Sequence, residues 1–374
     1  MNGKLKQLAA AAAIVALVAA CGAQSRALRE TRRTRLAHHG ASYSADVPPA
    51  VTFVTVTLGG FRGMIADLLW LRASRLQEER RYVELVQLSG WITKLEPHMP
   101  EVWSFHAWNM AYNISVMMAR PEDRWRWVLN GIELLRDEGV PLNPRSAMIH
   151  RELGWIFQHK LGMDGDPGHA FYRAEWARQI AAYLGEDGAR PDADSLAASE
   201  LEARFKMDAE TMAEIEENFG RIDWRVPMAQ SLFWGWKGLA FADDREKLPC
   251  RRMVYVSLMA MVRSQGRLSG DPLAEGWTFA TVPNTAVLEP TLDFIEETMA
   301  EHRFNGVRYA YMGLLRDGMH IRVAEDRAED ARRIYARFTR FFSGKTDATL
   351  PTFEEALAAD YDVFERLLVS AGFQ

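Results

Sequence analysis

Cysteine is almost missing from this chain: Cys21 and Cys250 are the only two in 374 residues. Cys21 falls inside an N-terminal apolar run, so a disulfide framework is excluded. Catalytic signatures are equally scarce. There is no HExxH, no G-x-S-x-G and no Walker loop, and His38, His39 and His98 stand apart from any carboxylate or cysteine at ligand spacing. "GGFRG" (59–63) lacks the spacing and the preceding strand–helix context of a dinucleotide-binding turn. His150 and Glu152 form an H-x-E with Pro249-Cys250 downstream, but Met253 stands where a zinc deaminase needs its second cysteine. No metal and no cofactor is therefore expected. Positive charge is not in excess: 45 Lys and Arg against 50 Asp and Glu leave a net charge of −5, and nucleic acid is not an expected partner.

What the chain does contain is ordinary globular material, 48% hydrophobic and 25% charged. Its length suits two domains or one elongated array. Twelve tryptophans are many for that length.

The first residues read as an address. Lys4 and Lys6 precede "LAAAAAIVALVAAC", an apolar run shorter than the ~20 residues a spanning helix needs. "VAAC" (18–21) resembles the lipobox of bacterial lipoproteins, which implies lipid attachment at Cys21. An uncleaved anchor is the alternative, and Arg26, Arg29, Arg32, Arg33 and Arg35 oppose translocation. The expected location is the bacterial cell envelope, membrane-anchored and facing the periplasm.

Residues 1–21 are thus read as signal or anchor, and 22–60 as a tether closing at Pro48-Pro49 with "VTFVTVTL" (51–58) as a short extended segment. From residue 61 onward the pattern is helical. Ile65, Leu69, Ala73 and Leu76 recur at helical spacing, as do Tyr82, Leu85, Val86 and Ile92. Between these stripes "QEERR" (77–81) holds no apolar residue, the composition of a solvated turn between two helices. Residues 186–217 carry an acidic stretch. Further helices are expected at about 249–265, 286–302, 304–317, 325–343 and 353–370, the last capping the array, with Gly372 just past its end.

The hairpin recurs. Ala73 and Ala107 lie 34 residues apart, as do Leu76 and Met110, and Pro97 closes the first unit. A third unit places Leu153, Gly154 and Phe157 at its seventh, eighth and eleventh positions. This arrangement resembles the tetratricopeptide repeat (TPR), whose small eighth residue lets two helices approach. The resemblance implies an all-α fold, a right-handed superhelix of stacked antiparallel hairpins over 61–185, with a divergent helical region over 186–374. A lone hairpin cannot bury its own apolar face, so neighbours must stack. Trp70, Trp91, Trp103, Trp108, Trp127 and Trp155 are expected to fill the gaps between helices.

His106, Asn109 and Asn113 run as one polar stripe along an otherwise apolar, aromatic helix. Arg72 and Arg75 on the first helix, and Arg151 and Gln158 on the third, repeat the pattern. In TPR proteins such side chains line a concave groove, where amides offer both donor and acceptor to an extended peptide. The expected function is a non-catalytic, membrane-tethered scaffold that binds a protein or peptide within an envelope assembly or secretion system. An α-helical envelope enzyme acting on glycans and a soluble cytoplasmic adaptor are the alternatives.

Overall fold

The computed structural model describes residues 62–373, and these are overwhelmingly helical. The protein is all-α. Cys21 and the stretch 51–58 lie outside the described residues. Two compact units divide the chain at Pro97.

The first unit contains α1 (Arg62–Glu78) and α2 (Tyr82–Leu95), packed on each other. Ala66, Ala73 and Leu76 of α1 and Leu85, Leu88 and Ile92 of α2 are buried. The charged pentapeptide is the turn that its composition predicts. Arg80 takes a left-handed conformation (φ 57°), and Arg81 bonds to Glu79 at 2.9 Å and to Glu84 at 2.5 Å. These exposed pairs orient the turn more than they stabilise it.

The second unit begins with α3 (Pro100–Trp108), which continues through a π-helical turn, Asn109–Ile114. It packs on α4 (Pro121–Glu133), itself prolonged by a π turn at Leu134–Gly139. Pro100 and Pro121 sit in first turns, where the missing N–H costs nothing. Gly131 permits the close approach, since a Cβ there would stand 2.9 Å from the Ala107 carbonyl oxygen.

Next comes α5 (Ala147–Trp155), capped by Ser146 and again extended by a π turn, Ile156–Leu161. It packs on α3, and its π turn packs on α6 (His169–Ala181). The acidic stretch folds as α7 (Leu196–Phe205) and α8 (Ala209–Phe219), separated by a left-handed Lys206. After it α9 (Pro227–Leu239) lies between α5 and α10 (Lys247–Ala260, with a π turn Met261–Gln265). Helices far apart in sequence are thereby brought side by side. Gly154 makes this possible: a Cβ there would meet Met253 Sδ at 2.5 Å and the Ser231 carbonyl at 3.2 Å.

A two-stranded antiparallel ribbon comes next, β1 (Arg267–Leu268) with β2 (Thr281–Val282), which helical periodicity does not anticipate. The chain then forms α11 (Leu288–Glu301), α12 (Asn305–Ala324) and α13 (Ala328–Phe342), each packed on the next. α12 runs seven residues, nearly two turns, past its expected end, and the single final helix is two, α14 (Phe353–Ala358) and α15 (Tyr361–Ser370). Asp360, in extended conformation before α15, marks the break. One apolar core runs through this unit from Trp103 to Leu368.

Five tryptophans fill that core: Trp103, Trp125, Trp176, Trp224 and Trp234. Trp91, Trp108 and Trp155 do not, being 61%, 39% and 36% exposed.

Candidate functional site

The polar stripe on α3 is largely internal. Asn109 is fully buried, its amide nitrogen donating to the Phe105 carbonyl at 2.8 Å and its oxygen accepting from Asn113 at 2.6 Å. His106 is buried with neither ring nitrogen partnered among the described residues, and burial holds its pKa down to about 4. Gln158 reaches away from solvent. Its amide nitrogen lies 3.1 Å from the Met253 carbonyl, 2.9 Å from Ser257 Oγ and 3.3 Å from Ser231 Oγ, joining α5 to α9 and α10. Arg151 pairs with Glu152 and Glu246, both at 3.0 Å. Arg72 and Arg75 are exposed on α1. The second-unit members thus hydrogen-bond or pack within the helical array, as buried polar groups must.

Beside this stripe lies a feature that the polar spacing does not reveal. Trp108 stacks on Tyr112 (ring centroids 5.5 Å, planes 22° apart), and Trp155 stacks on His159 (5.0 Å, 16°). Tyr112 and His159 meet at 5.6 Å, so one ladder of four rings crosses from α3 to α5. Val116 and Met163, four residues after Tyr112 and His159, are also exposed, at 49% and 41%. A signal for it was present, because Trp108 and Trp155 each come directly after the small residue of the repeat, Ala107 and Gly154.

The ladder rests on a buried charge knot. Lys160, 4% exposed, lies 5.1 Å from the Tyr112 ring centre and 2.5 Å from Asp166 Oδ2. Asp166 also accepts from the Gly168 N–H (2.8 Å) and the Tyr172 hydroxyl (3.0 Å), with Arg124 at 3.5 Å. Burial alone would raise the Asp166 pKa. Lys160, the Gly168 N–H and Tyr172 outweigh it and hold the carboxyl below its ordinary value. Burial, then the charges of Glu152 and Asp166, push Tyr112 well above the usual phenol range, and its hydroxyl has no partner among the described residues. Burial, with Lys160 beside it, lowers His159. At neutral pH the ladder therefore carries no charge of its own.

A second concave feature runs between α10 and α12. Two adjoining clefts of 350 Å³ each share Met259, Arg263 and Ala310. One is walled mainly by Met163, Met228, Val256 and Ala260, the other by Tyr309, Gly313, Arg316, Asp317 and Tyr361.

No group of three or more His, Cys, Asp or Glu among the described residues is placed to hold a metal ion. Cys250 is buried and its thiol is pushed up to about 12, mainly by that burial, which makes it inert as a nucleophile. Among the described residues no helix is long and apolar enough to cross a membrane. No protein-family model matches the chain, and neither a curated protein nor a solved structure does.

Proposed function

We propose that the chain is a non-catalytic scaffold of stacked, TPR-like hairpins forming a right-handed superhelix, tethered through Cys21 to a membrane of the bacterial envelope. An extended N-terminal segment joins the tether to the helices. The scaffold binds a protein or peptide partner on the face that α3 and α5 share. The observation that carries this reading is the ladder Trp108–Tyr112–His159–Trp155, whose two tryptophans are exposed over half-buried inner rings. Large, stiff aromatic rings are the residues on which binding energy concentrates at interfaces, because they remove much area from water at little entropic cost. Their placement on packed helices above a buried ion pair keeps them organised before a partner arrives.

The binding face is thus drawn on the aromatic ladder, with the amide stripe beneath it serving the packing. Photo-crosslinking amino acids placed at Trp108 and at Trp155 in living cells test the reading, with Leu196, 75% exposed elsewhere, as the control position. Both ladder positions should trap one shared partner that the control does not. The same products from all three positions would sink the proposal. Labelling with a palmitate analogue, lost in Cys21→Ala, tests the tether separately.

A further inference from the structure

The groove between α10 and α12 adjoins the ladder-bearing helix through Gly162, Met163 and Asp164, just past its π turn, but its chemistry differs. We propose that it binds a small amphiphilic anion of the fatty-acid type, the carboxylate on Arg316 and the unbranched tail along the methionines.

Four charged side chains line the groove: Arg263, Arg316, Asp317 and Asp164. Arg263 Nε donates to Asp317 at 2.7 Å, and Asp164 is held by Arg173 at 2.7 Å. Each of these carboxylates is neutralised by its own arginine. Arg316 has no hydrogen-bond or ion-pair partner among the described residues, and its Nε is shut off from solvent without an acceptor. A guanidinium so placed leaves strong donors unused, and donors of that kind are matched best by an oxyanion. One uncompensated cation in the groove suits a monoanion. A phosphate dianion would require a second free cation, and Arg263 is already committed.

The walls fix the rest of the ligand. Met163, Met228 and Met259 bring three flexible thioethers to the adjoining cleft, with Val256 and Ala260. Methionine accommodates chains of varying length and bend without a strict shape requirement. Ala310 stands where the two clefts join, so a head bound at Arg316 leads directly into the apolar end. The volume of each cleft falls in the range of small-molecule sites, roughly 300–1,000 Å³.

Isothermal titration of the full-length chain with octanoate is the test, set against octanol, octyltrimethylammonium and a tetrapeptide ending in leucine with a free carboxylate. Octanoate should bind one per chain. Octanol and the ammonium compound should bind at least about tenfold more weakly, the loss expected when a charge-assisted hydrogen bond disappears. Arg316→Gln should weaken octanoate by a similar factor. Ala310→Phe, which blocks the junction at a half-buried position, should abolish binding with Tm unchanged. Octanol binding as tightly as octanoate, no saturable heat with octanoate, or unaltered binding in both variants would each overturn the proposal. A tetrapeptide that outcompetes octanoate would overturn the fatty-acid assignment as well. Should Arg316→Gln fail to fold, Ala310→Phe and the acid–alcohol comparison on the unaltered chain still decide.

Discussion

Replacing Asp166 by alanine strands a lysine. Lys160 is 4% exposed, and its ammonium stands 2.5 Å from the carboxylate that would be removed. A buried charge left without its partner costs about 3–5 kcal/mol. Lys160→Met is milder, because Asp166 keeps the Gly168 N–H, the Tyr172 hydroxyl and Arg124; about 1.5–3 kcal/mol is expected for the lost charged hydrogen bond. The double variant should be more stable than Asp166→Ala alone, since no cation is then stranded, by roughly 1–3 kcal/mol. Urea denaturation at pH 7, monitored by circular dichroism at 222 nm and by tryptophan emission, measures all four chains. Urea is preferred because it does not screen the charges, and a common m value is the condition for comparing midpoints. Trp125, stacked on Tyr172 at 5.7 Å, reports on the neighbourhood of the knot. If Asp166→Ala and the double variant were equally stable, Lys160 would have reached solvent, and the knot could not be what organises the ladder. The pair also has a pH signature. A carboxyl held below its ordinary pKa contributes stability that is present above about 4 and lost as pH falls through its lower folded value.

Gly154→Val should destabilise by about 1–3 kcal/mol through overpacking, because the new side chain meets the Ser231 backbone and Trp234 as well as Met253; thermal unfolding measures it, and a neutral result would deny the close approach of α5 and α9. His106 and His150 are both held down to about 4, in each case mainly by burial. Between that value and about 6.5 the unfolded chain binds more protons than the folded one. Stability should therefore fall as pH drops through this window, at up to about 1.4 kcal/mol per pH unit for each imidazole. His106→Leu should flatten the slope, and an unchanged profile would place that ring in contact with water. Gln158→Leu removes the donor shared by Ser231, Ser257 and the Met253 carbonyl, and a loss of about 1–3 kcal/mol in urea is expected. If the loss fell on partner capture while stability held, the amide would belong to a recognition groove after all.

Helical order is legible in the sequence because it is local. Leu85 and Ile92 share a face through their spacing alone, and Glu79, Arg80 and Arg81 can only be a turn because none of them has anything to bury. The spacing of His106, Asn109 and Asn113 likewise shows that they share a face, but not what that face meets. That depends on α5, and for Gln158 on α9 and α10, whose Ser231 and Ser257 lie 73 and 99 residues away in sequence. The π turns add a further obstacle. Each inserts one residue into a helical turn and rotates the rest of the helix, and no residue type in "NMAYNI" or "IFQHKL" announces it. Tyr112, His159 and Lys160 all lie within these turns, so the ladder and the charge beneath it come together where a uniform 3.6-residue period is broken. Such turns cost helix regularity and are found disproportionately at functional sites. In this chain both helices that carry the ladder's exposed tryptophans have one directly after them. Further π turns follow α4 and α10, so it is the stacked tryptophans, more than the π turns or the polar spacing, that favour this face for the proposed partner.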